Sequence, residues 1–476
     1  MGTGGEESSM KAAHKATQPL LGAQKKKAKK GSNGFAIFCT TLVALGPVSF
    51  GFSLGYSSPI QDSIIKSLNL SLSQFSFFGS LVNLGAMLGA VFSGKVADFA
   101  GRKGALIIAS IPHIIGWVLT VFAQSTHVLY IARFLVGIGV GMISFTVPVY
   151  IAEISPKHLR GTLGTVNQLA VTIGIVLAYF GGMFLDWRML AGAGVLPCSL
   201  LMVGLIFIPE SPRWLAKAGG HDEELLGSLQ SLRGKDTDIS GEMYDIQTAV
   251  EESKLQPAPK LSDLGERRLF RPLLIGVGLQ VLQQFSGINA IMFYSSAILQ
   301  SAGLTNPNIG SFGLGLIQVI MTGVAAGLMD KAGRRLLLMI AAGGMAVSSF
   351  LVGFSFYLKD SLQHPSGMDT FVSMLSLLSL LVYLISFSLG MGAIPWIIMS
   401  EVFPANVRGL AGSLATLVNW SSAWGVTMCF NFLLQWSSAG SFWLFSAECG
   451  LTVVFVALLV PETRGRTLEE IEAYFK

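Results

Sequence analysis

From about residue 34 onward, long apolar runs alternate with short polar ones. Twelve runs approach the ~20 residues that cross a hydrocarbon core as a helix. Their centres fall near Ser49, Met87, Ile114, Gly139, Val171, Leu200, Asn289, Met321, Ala346, Phe387, Asn419 and Leu451. One polar stretch, Ser211–Ser262, has helical charge pairs but no span-length run, so it is predicted as a few short interfacial or cytoplasmic helices. It divides the runs six and six. The expected layout is a polar, disordered tail at 1–33, a six-helix unit at 34–210 and an intracellular helical linker at 211–265. A second six-helix unit at 266–461 and a short helix or tail at 462–476 complete it.

The two units repeat one another. Gly94, Asp98, Gly101, Arg102 and Lys103 return as Gly327, Asp330, Gly333, Arg334 and Arg335. Glu153, Pro156, Arg160 and Gly161 return as Glu401, Pro404, Arg408 and Gly409. Pro209-Glu210 returns as Pro461-Glu462. Three motif pairs in one order imply two related bundles. The predicted fold class is therefore an all-α membrane protein, twelve transmembrane helices in two pseudo-symmetric six-helix bundles with short intracellular helices.

Composition agrees. Charged residues make up 12% of the chain, where a soluble domain carries about 25%. The net charge of +5 comes from the tails and from loops of one side. That is the mark of membrane topology and argues against nucleic acid as a partner. Lys95, Arg102, Lys103, Lys157, Arg160, Arg213, Lys331, Arg334, Arg335, Arg408, Arg464 and Arg466 share the side of both termini, against Lys66 and Lys359 opposite. Both termini are predicted to be cytoplasmic. No cleavable signal is expected at the N-terminus. The lysines at 25–27, 29 and 30 suit anionic lipid, and Leu20-Leu21 resembles a dileucine sorting signal. Asn69-Leu70-Ser71 is a weak glycosylation sequon in a short loop. Cys39, Cys198, Cys429 and Cys449 lack metal or disulfide spacing and are expected to pack. No cofactor and no metal are expected. With no phosphate loop and no catalytic cluster, an enzyme is not expected either.

Three departures from apolarity carry candidate chemistry. Gln280–Ser295 holds three glutamines, Asn289 and the weak step Ser286-Gly287. Amides at mid-membrane either bind a polyol or hold helices together. Arg133 lies in the fourth run, where an ionised arginine needs a partner. His113 in the third is either a titratable group or a hydrogen-bonded packing residue. The repeated charges Asp98, Arg102, Glu153, Arg160, Asp330, Arg334, Glu401 and Arg408 sit at helix ends of the cytoplasmic side. They read as a latch that holds that side closed in one state and parts in another, with Glu210 and Glu462 linking it to the intracellular helices. The other reading is a static staple.

With those motifs in hand, the chain resembles the sugar porter family of the major facilitator superfamily. The resemblance runs from about residue 35 to the end. It rests on Gly101-Arg102-Lys103, Gly333-Arg334-Arg335, the run Pro209–Leu215, the run Gln283–Asn289, Ile394-Pro395-Trp396 and the run Pro461–Arg466. Within the family, the stretches 51–59 and 111–117 and the glutamine-rich seventh helix look like the plant early-responsive-to-dehydration (ERD-like) monosaccharide transporters, a group typically placed at the vacuolar membrane.

The resemblance implies sugar contacts at Gln168, Gln283, Gln284, Asn289, Trp396 and Asn419. Gln318 stands where many members carry Asn, and Ser388 where facilitative glucose transporters carry Glu. Trp420 and Phe293 either line the path or pack, and Tyr294 is a candidate outer gate. Proton-coupled members set a carboxylate on the first helix against the arginine that matches Arg133; Ser53 occupies that position here and cannot titrate. The expectation is hexose transport by alternating access by a functional monomer, with uniport preferred. The alternative is a proton-coupled symporter exporting sugar from the vacuole, with the plasma membrane as the second location. A non-transporting sugar receptor is the rival from another class.

Overall fold

The computed structural model describes residues 33–475 except 157–158, 220–221, 256–263, 267–268, 362–367, 405–406, 465, 467–469 and 472–473. Leu20-Leu21 and the lysine patch lie outside the described residues, as do Lys157 and the side chains of Arg160, Asp330, Lys331 and Arg408.

The first bundle holds α1 (Gly34–Val43), α2 (Leu45–Gly55), α3 (Ser57–Leu68), α4 (Leu72–Phe99), α5 (Gly101–Val121), α6 (Thr126–Ile154), α7 (Arg160–Gly181) and α8 (Trp187–Gly204). Helices α1–α3 follow one path as the first span. Three short helices come next, α9 (Pro212–Ala218), α10 (Asp222–Arg233) and α11 (Ser240–Leu255). The second bundle holds α12 (Phe270–Phe285), α13 (Ile288–Ser301), α14 (Pro307–Ala332), α15 (Arg334–Ser361), α16 (Met368–Ser386), α17 (Ile394–Val402), α18 (Arg408–Trp436) and α19 (Ser438–Leu459). Helices α12 and α13 form the seventh span. The tenth is α16 and α17, joined through a π-helical turn at Phe387–Met391. Among the described residues, 11 helical stretches are long and apolar enough to cross a membrane. The remaining span is α18, 29 residues long but diluted by Asn419, Asn431 and several serines. It is buried between α4 and α12, where amides find protein partners in place of lipid.

Polar caps mark where spans stop. Ser71 starts α4 with a reciprocal capping box to Gln74, and Ser125, Asp186, Ser211 and Ser437 each accept a hydrogen bond from a first-turn N–H. Such caps satisfy donors that the helix itself leaves free. The sequon lies across one of these turns: Asn69 closes α3 in the left-handed region (φ 51°), and Ser71 is the next helix's cap.

The bundles meet along α4–α18, α7–α14 and α3–α13. We call the end bearing α9–α11 the inner end. Among the described residues, the hydrogen bonds between bundles run from mid-span to the outer end. Ser58 Oγ is bonded to Ser295 Oγ (2.8 Å) and accepts from Ser296 N–H (2.9 Å). The Tyr179 hydroxyl donates to Met292 O (2.6 Å). Asn431 Nδ2 donates to Ser76 Oγ (2.9 Å) and Asn83 Nδ2 to Thr427 Oγ1 (3.1 Å). No ion pair joins the two inner ends among the described residues.

Candidate functional site

The seventh span is broken where the sequence is weakest. Helix α12 ends at Phe285 and α13 begins at Ile288. Gly287 has φ +93°, a region in which a Cβ is costly, and a Cβ there would lie 2.6 Å from the Phe445 ring. The backbone groups at the break keep partners. Ser286 Oγ donates to Gln283 O (2.7 Å), and the Tyr383 hydroxyl donates to Ser286 O (2.9 Å). Irregular backbone at membrane depth persists only with such support.

Amides converge on this break. Gln283 Nε2 donates to Met391 O (2.7 Å) and Gly392 O (3.1 Å), carbonyls at the π-helical turn of the tenth span. Asn419 Nδ2 donates to Gln280 Oε1 (2.7 Å) and Gln283 Oε1 (3.2 Å). Gln284 Nε2 donates to Asn419 Oδ1 (3.2 Å), and Asn289 Nδ2 to Gln284 Oε1 (2.6 Å). Gln283, Gln284, Asn289 and Asn419, each expected to touch a ligand, therefore form one neutral network, and Gln280 joins it. The other expected contacts sit apart from it. Gln168 on α7 is partly exposed, with no hydrogen bond among the described residues. Trp396 lies half-buried on α17. Gln318 on α14 is buried, and its Oε1 lacks a partner. Ser388 Oγ, Trp420 Nε1, Trp424 Nε1 and Asn167 Oδ1 are likewise buried without partners. Each such orphan costs about 1–3 kcal/mol until something bonds to it.

Arg133 lies outward of this network, fully buried. Its Nη2 donates to Ser53 O (2.9 Å) and Ser57 Oγ (2.7 Å). The Ser53 hydroxyl turns away to Ser49 O (2.9 Å). Three rings surround the guanidinium, Phe78 at 5.3 Å, Tyr56 at 5.7 Å and Phe293 at 6.0 Å. Nε and Nη1 have no hydrogen-bond partner, and no carboxylate pairs with Arg133 among the described residues. Aromatic faces attract a cation but cannot titrate as a carboxylate would. His113 is engaged on both nitrogens. Trp117 Nε1, a donor only, donates to His113 Nε2 (3.0 Å), so that nitrogen accepts and Nδ1 carries the proton toward Val136 O (3.2 Å). Ser49 Oγ also lies 2.7 Å from Nε2. This neutral, hydrogen-bonded arrangement accords with the packing reading.

The family model described as "Sugar (and other) transporter" matches residues 25–475. The chain belongs to the sugar transporter family. Sugar transporter ERD6-like 6 of Arabidopsis thaliana is 54% identical over 438 residues, covering 92% of this chain and 90% of the relative. Sugar transporter ERD6-like 16 of the same plant is 48% identical over 437 residues, 92% and 90% of the two chains. Among solved structures, the proton:xylose symporter XylE bound to 6-bromo-6-deoxy-D-glucose superposes with a TM-score of 0.76 at 28% identity, covering 94% of this chain and 100% of that one. An inward open conformation of XylE from E. coli gives 0.76 at 29% identity, covering 93% and 100%. The transporter thus has the two-bundle, twelve-helix fold of the major facilitator superfamily. It is a multi-pass membrane protein related to the ERD6-like sugar transporters and is not an enzyme.

The transporter's repeated charges form a clasp in each bundle. Arg102 binds Glu153 through two parallel bonds of 2.9 Å, with Nη1 on Ala97 O (2.8 Å) and Asp98 (3.3 Å). Glu210 accepts from the backbone N–H groups of Arg102, Lys103 and Ser211. In the second bundle Glu462 accepts from Arg334 N–H (3.0 Å), Arg335 N–H (3.1 Å) and Arg464 N–H (2.9 Å), and Arg334 lies 3.5 Å from Glu401. Gly101 (φ +78°) and Gly333 (φ +88°) open the backbone toward these carboxylates. A Cβ at either position would press on Glu210 or Glu462, so the glycine of each motif serves a glutamate at the far end of its own bundle's sequence. In this conformation each clasp ties helices within its own bundle. Burial pushes the Glu210 carboxyl above the usual carboxylate range, against its three N–H donors. Burial acts the same way on Glu462, but the donors and the Arg334 charge outweigh it and hold that carboxyl below the range.

Sequence reasoning missed several groups. Asn167, Asn83, Asn431 and Trp424 are polar groups inside apolar runs, the same signal that singled out Gln283. Glu448 is an acidic residue in the middle of the twelfth span. Tyr294 is fully buried, its hydroxyl donating to Thr427 O (3.2 Å) and its ring stacked on Phe430 at 5.6 Å. Its ring also meets Phe75 of the first bundle at 6.3 Å, among the outer contacts between bundles.

Proposed function

We propose that this sugar transporter carries a glucose-type hexose by alternating access, as a uniporter, with the amides of the broken seventh span as the core of its site. The observation that carries the substrate reading is the neutral network of Gln283, Gln284, Asn289 and Asn419, with unpaired buried polar atoms on Gln318, Ser388, Trp420 and Trp424. Sugar hydroxyls are both donors and acceptors, and amides match them without the cost of a buried charge. Gln168 and Trp396 complete the proposed contacts, Trp396 through its flat apolar face. A sugar spanning both bundles would be exposed to one side at a time as the bundles rock. The outer hydrogen bonds mark an inward-facing state. The inner clasps are proposed to keep each bundle rigid in this state and to reach across as the latch when the inner end closes, with Arg160, Asp330 and Arg408 among its proposed members.

Uniport is supported by Arg133, which has aromatic rings and a backbone carbonyl where a coupled mechanism needs a titrating carboxylate. The symport reading keeps one observation in its favour, the retained buried arginine itself, together with the proton-coupled xylose symporter of the same fold. We place the transporter in the vacuolar membrane with cytoplasmic termini, on its likeness to the ERD-like group and on its basic inner loops.

Counterflow of labelled glucose in proteoliposomes tests the substrate reading. Exchange that unlabelled glucose drives supports it, and binding without exchange would leave a receptor. Uptake with and without an imposed pH gradient tests the coupling. Uptake that never exceeds equilibrium under the gradient supports uniport, and sugar-driven proton flux overturns it.

A further inference from the structure

Glu448 sits at the middle of α19 and takes no part in the site or the clasps described above. Its Oε1 accepts from Thr452 Oγ1 at 3.0 Å, one turn along the same helix. Its Oε2 is inaccessible and has no hydrogen-bond partner. Thr452 bonds it from its own helix, with Cys449 next to it in sequence and Tyr383 of α16 within electrostatic reach. Helices α12, α15 and α18 also pack against α19 and bring no cationic partner to it among the described residues. An ionised carboxylate at mid-membrane needs a cation or several donors. This one has a single hydroxyl donor and an unpaired oxygen, a surround that accommodates the protonated acid.

Glu448 lies one helical turn from Phe445, whose ring packs against Gly287 at the break of the seventh span, and Tyr383 of α16 reaches the same break. Its hydroxyl donates to Ser286 O at 2.9 Å and lies 3.3 Å from Ser286 Oγ, at the break of the seventh span. Ser286 Oγ in turn donates to Gln283 O. A phenol has one proton to donate. A neutral acid leaves that proton on the break, whereas a carboxylate competes for it.

We propose that Glu448 is a proton-binding site behind the sugar site, whose protonation keeps Tyr383 on Ser286 and the amides of the broken helix in register. Proton uptake here needs no net proton transfer across the membrane, so the proposal is compatible with uniport, and it rests on the sugar-site reading above. Loss of the proton adds a negative charge to Glu448, draws the Tyr383 hydroxyl toward it and weakens sugar binding.

The test is glucose counterflow at equal pH on both faces, over a range of pH. The parent is expected to lose affinity as pH rises by about fivefold or more, the lower end of typical coupling between two sites. Glu448→Gln, which holds the neutral shape, is expected to keep the low-pH affinity throughout, and Glu448→Asp to restore a pH dependence. A flat parent profile, or an unchanged dependence in Glu448→Gln, overturns the proposal. Absence of counterflow at every pH would instead overturn the sugar reading. A second measurement on the parent needs no variant. A lipophilic carbodiimide reacts with protonated intramembrane carboxyls, so it should tag the Glu448 peptide at low pH and progressively less at high pH. No tag at any pH overturns the proposal as well.

Discussion

Arg133 meets Ser53 through the backbone and not through its side chain. Nη2 donates to the Ser53 carbonyl at 2.9 Å while the Ser53 hydroxyl donates to Ser49 O, also at 2.9 Å. The arginine is therefore close to the position from which a carboxylate would face it, yet nothing titratable stands there. Ser53→Asp should supply that group. An aspartate beside a buried guanidinium changes its proton affinity as exposure and distance change. We expect the variant, unlike the parent, to accumulate glucose against its gradient when a proton gradient is imposed. Unchanged uptake would mean that the first span cannot present a carboxylate to Arg133.

Gln283 is the amide that ties the π-helical turn of the tenth span to Asn419. Gln283→Ala should weaken glucose binding by roughly tenfold or more, since a buried hydrogen-bonding group is worth about 1–3 kcal/mol. Tryptophan fluorescence titration would read the affinity, and size-exclusion behaviour the fold. An unaltered affinity would make the cluster helix glue.

Ser58 is bonded to the second bundle through Ser295, Ser296 and the Ser296 amide. Ser58→Ala removes these outer bonds while leaving the sugar site intact. At about 1 kcal/mol for each net hydrogen bond, the balance should shift roughly fivefold or more toward outward-facing forms. Labelling of a cysteine placed at the outer end of α13 would rise if so, and constant labelling would deny these bonds a gating role.

Glu210 and Glu462 occupy equivalent places with opposite shifts. Glu210 is held above the ordinary carboxylate range, so its protonated form is the one the folded state favours, and its ionisation costs stability as pH rises through the folded value. Glu462 is held below the range, so it contributes stability that is present above the unfolded value and lost as pH falls through the folded one. On acidification the first clasp should therefore take up its proton before the second. The stability difference between the parent and Glu210→Gln should fade at higher pH than that between the parent and Glu462→Gln. Thermal melts in detergent from pH 7 downward would show the order, and a reversed order would contradict the assignment.

The fold was legible because lipid imposes a simple rule: a span must be apolar for its full length. Hydropathy alone located the spans, including α18, whose amides dilute it, and the repeated Gly-Arg and Pro-Glu motifs revealed the two halves. The amide cluster was legible for the same reason, since Gln283, Gln284 and Asn289 stand out in an apolar run. What sequence could not supply was direction. Nothing in the string tells that Asn419 turns to Gln280, that the Ser53 hydroxyl turns away from Arg133, or that the inner charges pair within bundles. Those depend on helix rotation and on contacts between residues hundreds of positions apart. Glu448 was visible by the same rule as Arg133 and was passed over because no motif contains it.

The amide network has a consequence for how cargo is held. Gln284, Asn289 and Asn419 serve one another as partners, so these amides of the proposed site are already satisfied. A hydroxyl reaching these amides would replace bonds that exist, whereas one reaching Gln318 Oε1 or Ser388 Oγ would fill a bond that is missing. The net grip of the proposed site would then rest on the atoms that lack partners, while its amide core would trade one hydroxyl for another at little cost.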